Sequence, residues 1–415
     1  MRLVLAILLA LPLSAMDQLI PFGTNGAVST SATRFHPISG LYAVTTTRDA
    51  TRGVVPTNGT FGRLCVQLSA DPTPGQYTVM VEKGTADTAV TLTITAGNTS
   101  GCTSGLSFSV TAGETVNYQI DPASSPASVI VRGSIIFTSS TANESILMSF
   151  IDANTMATGA ASYNRLSGKN STWDATQTNR EQLVATGGTF KKLYVWMSAA
   201  PGTAASGKSY TFKLYIAASG STLTCQVLDD ATTCNDTSNT PSATAGNSAS
   251  MESVPASTPT ARAASYAVVF APTTDGESLL MGGTTGAWNT GVALYATSTQ
   301  GITPGNEADV RMAGQTGVTL KKLYFKITTA PGAGNDWTIR SRIDSGNGNI
   351  TCQIAGASDV TCNDTSNTDA LSDNTLINIS NTPNSTPSAS GVSAWGLVAY
   401  IDPASGTRRR VVVSQ

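Results

Sequence analysis

A single histidine, His36, serves all 415 residues. Without a second imidazole the chain cannot build an ordinary histidine-based metal site, and it has little acid–base capacity near neutral pH. Charged residues make up 12% of the chain, roughly half the usual share, and the net charge is −2. No basic field is available for a polyanion, so nucleic acid is excluded as a partner. Beyond the first fifteen residues or so, no apolar run is long enough to span a bilayer as a helix. A convincing helical period is also missing. Segments that alternate apolar and polar residues between Gly, Pro and Asn turns take its place, and they predict an all-β chain. His36 is expected in a loop or at the surface.

What the sequence does contain, it contains three times. Gly59-Thr-Phe-Gly-Arg-Leu-Cys-Val-Gln-Leu-Ser69 returns at 188–198 as Gly-Thr-Phe-Lys-Lys-Leu-Tyr-Val-Trp-Met-Ser. It returns again at 318–328 as Val-Thr-Leu-Lys-Lys-Leu-Tyr-Phe-Lys-Ile-Thr. The anchor leucines Leu64, Leu193 and Leu323 recur about every 130 residues, the size of one small β domain. From each anchor leucine onward every second residue is apolar, as in a half-buried strand. Three tandem β-sandwich modules are therefore expected, at 16–139, 140–272 and 273–402. Each opens with a short apolar strand: 18–20, 144–148 and 277–281. A fourth segment of this kind, Arg409–Gln415, lies within a C-terminal piece at 403–415. It reads either as a decorative tail or extra edge strand, or as a strand whose Val411, Val412 and Val413 pair with a neighbour.

Residues 1–15 read as a signal peptide: Arg2, an apolar run from Leu3 to Leu13, then Ser14-Ala15. The alternative start is Met16. The cysteines fit secretion. Cys225 and Cys234, like Cys352 and Cys362, have the spacing of a bridge across a hairpin. Cys65 and Cys102 remain as the only other pair, with Cys102 taken as the second hairpin position and Thr93 standing where its partner should be. Zinc is not expected, because no histidine and no Cys-x-x-Cys accompanies them. The Asn-Asp-Thr-Ser-Asn-Thr segments at 235–240 and 363–368 hold one acid each, which suits turn chemistry better than calcium. No cofactor is expected. No nucleophile elbow or phosphate loop is present, and no acid recurs in all three repeats, so an enzyme is not expected. Trp173, Trp196 and Trp288 are candidate contact aromatics, for neighbouring modules first and for glycans second.

The run Leu-Tyr-Val-x-Met-Ser-x-Ala-Pro-Gly, then Ser-Tyr-Thr-Phe, then Thr-Cys…Thr-Thr-Cys-Asn-Asp-Thr-Ser-Asn-Thr resembles domains of phage virion and bacterial surface proteins. Their analogues look like the tumour necrosis factor-like jelly roll. The resemblance covers roughly 59–137, 188–270 and 318–401, and it implies jelly-roll modules, three-fold packing and a structural role. The modules could close into a pseudo-trimer or line up as beads. The expected function is a structural subunit of an extracellular assembly that self-associates head to tail. A phage virion protein or a carbohydrate-binding adhesin are the alternatives.

Overall fold

The computed structural model of the chain describes residues 15–168, 172–299 and 306–403. These residues form six sheets and three short 3-10 turns, with no α-helix among them. The all-β expectation holds. Every ladder is antiparallel except Phe22–Thr24 against Gly40–Tyr42.

The sheets pair around three cores. In the first, the opening strand Ala15–Thr24 lies beside the closing strand Val131–Ala142, which lies beside the anchor strand Gly59–Leu68. Two short pieces, Ser100–Cys102 and Ser107–Val110, finish that sheet. The facing sheet runs Arg34–His36, Thr115–Ala123, Gln76–Lys83, Ala86–Thr95. With strands counted along the chain, the order is 1-8-3-6 against 2-7-4-5, the double Greek key of a jelly roll. The second core repeats this order with opening strand Ser145–Met148, closing strand Ala264–Pro272 and anchor strand Gly188–Met197. The third does so with Glu277–Thr284, Ser393–Ile401 and Val318–Ile327. Each closing strand is hydrogen-bonded on both sides.

The anchor strands show how the pattern sets the backbone. Phe61 and Leu64 are both fully buried, as are Phe190 with Leu193 and Leu320 with Leu323. A spacing of three cannot put two side chains on one face of a regular strand, where the period is two. The ladder to the closing strand slips at this point in all three copies. The residue before each anchor leucine takes a left-handed conformation, with φ of 47° at Arg63, 54° at Lys192 and 54° at Lys322. Each is a β-bulge that restores both flanking residues to the core and turns a long basic side chain outward.

His36 departs from expectation. It is wholly buried on the strand Arg34–His36, against Phe22 and Tyr118. Its ring nitrogens lie 2.7 Å from the Pro37 carbonyl and 2.9 Å from the Gly23 carbonyl. Burial drives its pKa down to about 4, despite the hydrogen bonds to Pro37 and Gly23 that favour the charged ring. The unfolded chain therefore binds a proton that the folded chain refuses, between about pH 6.5 and pH 4. Stability should fall by about 3 kcal/mol as pH drops through that window. Urea titrations of wild type and His36→Asn would check this: the variant should lose that slope.

Candidate functional site

The three cores close into a ring. Neighbouring residues of a strand point to opposite faces, so an opening strand can serve two cores at once. Ile20, Leu147 and Leu280 enter the cores of their own sandwiches. The preceding residue enters a neighbour's core: Leu19 the third, Ile146 the first and Leu279 the second. The direction is the same each time, and it returns to its origin after three steps. These six side chains meet on the axis around a cavity of about 30 Å³. The arrangement is a pseudo-threefold ring within one chain, not beads.

The bulges aim their basic residues across the joints. Lys192 of the second sandwich reaches Thr57 of the first at 3.1 Å, and Lys322 of the third reaches Thr186 of the second at 3.2 Å. Arg63 of the first completes the circle by donating to the Thr316 carbonyl of the third and pairing at 2.8 Å with Asp373. Three buried glutamines add amide contacts in cyclic order. Gln18 donates to the Ile146 carbonyl at 2.8 Å, Gln182 to Met281 at 2.7 Å and Gln315 to Ser134 at 3.0 Å.

Two of these joints contain a buried carboxylate. Glu144 has no exposed side-chain surface and meets Lys191 at 2.9 Å, Lys192 at 2.8 Å and Thr57 at 2.7 Å. Glu277 is likewise buried, with Lys321 at 2.9 Å, Lys322 at 2.6 Å and Thr186 at 2.5 Å. Burial alone would push both carboxyls up. Hydrogen bonds from the lysines and threonines overcome it and hold both below the ordinary carboxylate range. In the first sandwich the counterpart is Asp17, which accepts from Thr138 of its own closing strand.

The outward face of each anchor strand also serves a joint. Tyr194 and Trp196 pack against the first core, and Arg52 of the first sandwich sits 5.9 Å over the Trp196 ring. At the position of Trp196 the third sandwich has Lys326, paired at 2.8 Å with Glu181 of the second. Tyr194 lies 3.8 Å from where a side chain on Gly113 would begin, and Tyr324 lies 3.6 Å from the same point on Gly246. The first sandwich has Cys65 in place of these tyrosines. Its partner Cys102 faces Asn374, whose amide lies 3.8 Å from the Cys102 sulfur.

All three expected disulfides are present: Cys65–Cys102, Cys225–Cys234 and Cys352–Cys362. Two details differ from the sequence reading. Cys225 lies on Ser219–Leu228 and Cys234 on Thr233–Asp236, which belong to opposite sheets, so the bridge joins the layers rather than two arms of a hairpin. The register also corrects the alignment of the first repeat. Val79 faces Leu92 where Phe212 faces Cys225 and Ile339 faces Cys352. Val66 faces Gly101 where Val195 faces Cys234 and Phe325 faces Cys362. Leu92 and Gly101, not Thr93 and Cys102, hold the disulfide positions, and the Leu92 side chain lies 3.5 Å from the point where a Gly101 side chain would start. Cys65–Cys102 is a separate bridge on the other face of the sheet.

The Asn-Asp-Thr-Ser-Asn segments are turns, built identically. The Asp236 carboxylate accepts from the backbone of Ser238, Asn239 and Thr224 and from the Asn239 amide. Asp364 does the same with Ser366, Asn367, Thr351 and the Asn367 amide. Partial burial works against ionisation, but these donors outweigh it and hold both carboxyls low.

Of the candidate aromatics, Trp196 lies at a joint. Trp173 and Trp288 do not: both are buried in their own cores, Trp173 against Phe212 and Tyr266, Trp288 bonded through its indole N–H to Ser393. The sequence reading placed them in polar stretches and had no means of seeing the strands that cover them. Val411, Val412 and Val413 lie outside the described residues. Compared with known proteins, the chain matches no family model and no curated protein.

Proposed function

We propose that the chain is the structural subunit of an extracellular assembly, a fibre, appendage or surface coat, with the three-core ring as its rigid building block. Closure of the ring is the observation that carries this reading. Head-to-tail contacts between like modules propagate as filaments when open and end when they close. Here they close within one polypeptide, which gives a body whose three flanks are alike in fold and unlike in chemistry. Three disulfides suit an oxidising compartment. Association between copies then needs a surface other than the module joints, and the segment 408–415 with Val411–Val413 is the candidate.

A virion protein is the second reading, favoured by the threefold arrangement that the resemblance to phage domains implies. The mature N-terminus separates the two, because a chain beginning at Met16 in the native particle has no leader to remove. A glycan-binding role draws no support from Trp173 or Trp288, which have no surface to offer. Light scattering and electron microscopy of the purified 42.6 kDa chain test the assembly. Ordered polymers are expected, and a monomer at every concentration would reject the proposal.

A further inference from the structure

If copies associate, as proposed above, the donated strand needs an acceptor, and the three closing strands cannot supply it. Each already has its opening strand on one side and its anchor strand on the other. The fifth strands, Ala86–Thr95, Ser219–Leu228 and Gly346–Gly356, are the ends of their sheets on the outer rim. An edge strand presents unpaired N–H and C=O groups to any extended segment that approaches, and proteins protect such edges.

Two of these three edges are protected, both in the same way. In the second sandwich the outward N–H of Thr224 is capped by Asp236 at 3.0 Å, and Cys225 is tied to the facing sheet. In the third the N–H of Thr351 is capped by Asp364 at 2.8 Å, that of Asn349 by Asp369 at 2.7 Å, and Cys352 is tied in turn. The first sandwich has neither device. The register makes Thr91 the counterpart of Thr224 and Thr351. Among the described residues no carboxylate caps its N–H, and Leu92 with Gly101 replaces the disulfide. The strand contains no Pro and no Lys, and its one charge is Asp87.

We infer that Ala86–Thr95 is the acceptor edge, and that it takes residues 408–415 of a second copy by β-strand addition. The eight-residue segment Arg-Arg-Arg-Val-Val-Val-Ser-Gln matches the ten-residue edge in length. Its β-branched valines favour the extended form. Its arginines complement the acids that flank the edge: exposed Asp87 at one end, and at the other Asp71, whose carboxylate accepts from Gly97 just past the strand. Main-chain pairing supplies the affinity, and the charges add attraction at either end of the edge.

The test uses the full chain. Thr91→Pro and, separately, Thr93→Pro each remove one outward N–H while leaving the inner ladder to Gln76–Lys83 in place. Each should raise the concentration for half-assembly at least tenfold, and deletion of 408–415 should do the same. Thr93→Cys together with Val412→Cys should give a disulfide-linked species between copies under mild oxidation, a readout that needs no proline. If the deletion abolishes association while the proline variants assemble normally or no crosslink forms, the acceptor edge is wrong and the assembly reading survives. If the unaltered chain never associates, the assembly reading itself fails.

Discussion

Replacing Glu144 and Glu277 together by glutamine should lower the unfolding free energy by about 6 kcal/mol, roughly 3 kcal/mol at each site. Each carboxylate is fully buried between two lysines and a threonine of the joint. Removing the charge strands two partly buried ammonium groups, which costs more than the pair itself contributed. The two sites share no partner, so their effects should add. The pH dependence has a definite sign. Both carboxyls ionise more readily folded than unfolded, so their contribution is complete above an unfolded pKa of about 4.3 and is lost as pH falls through the lower folded value. The double variant should show a shallower acid limb in chemical denaturation followed from pH 5 to pH 2. Some slope will remain, because Asp236 and Asp364 titrate in the same sense. Glu82 works in the opposite sense, since burial raises its pKa in spite of Asn117 and Arg48. An acid limb unchanged by the double substitution would show that neither carboxyl is held ionised by its lysines and threonine in the folded chain.

Ile146→Ala should cost about 2–4 kcal/mol, and the loss should appear in a sandwich other than the one that carries the residue. Ile146 belongs to the opening strand of the second sandwich but lies in the first core, with Ile20, Phe61 and Ile135. Truncation leaves a cavity there that the rigid neighbouring strands cannot fill. Hydrogen exchange is the discriminating measurement. Amides of Val131–Ala142 and Gly59–Leu68 should lose protection at least as much as those of Ser145–Met148. A loss confined to the second sandwich would mean that the joint is a surface contact and not shared core.

The repeated strands were legible because each states its own local rule. The alternation from Leu64, Leu193 and Leu323 is a period-two signal that survives any change in the surface, and the cysteine pairs of the second and third repeats stand nine and ten residues apart. The seventh strands, Thr115–Ala123, Ser248–Ala256 and Leu376–Asn384, were harder to single out, although the signal is there. Val116, Tyr118 and Ile120 alternate with polar residues into the first core, whereas in Ser248-Ala-Ser-Met-Glu-Ser the alternation shrinks to the small Ala249 and to Met251. The bulges were written in the sequence as the three-residue step from Phe61 to Leu64, a signal that only acquires meaning once both residues are known to share one core. His36 and Trp288 were misplaced for a related reason. A lone polar or aromatic residue in a stretch of Ser, Thr and Asn gives no period from which to infer its depth.

Taken alone, then, the amino-acid order determined the strand chemistry, the threefold repetition and which cysteines could meet, since all of these depend on neighbours along the chain. Only the tertiary structure decided that the repeats close on themselves, that Leu19, Ile146 and Leu279 serve cores not their own, and that one rim edge of three stands uncapped. The physical reason is that these are relations between separate strands, 128 positions apart where Gln18 meets Ile146 at a joint and 12 to 20 apart at the edge caps. Such contacts form by shape and charge complementarity between finished sheets, and no local period encodes them.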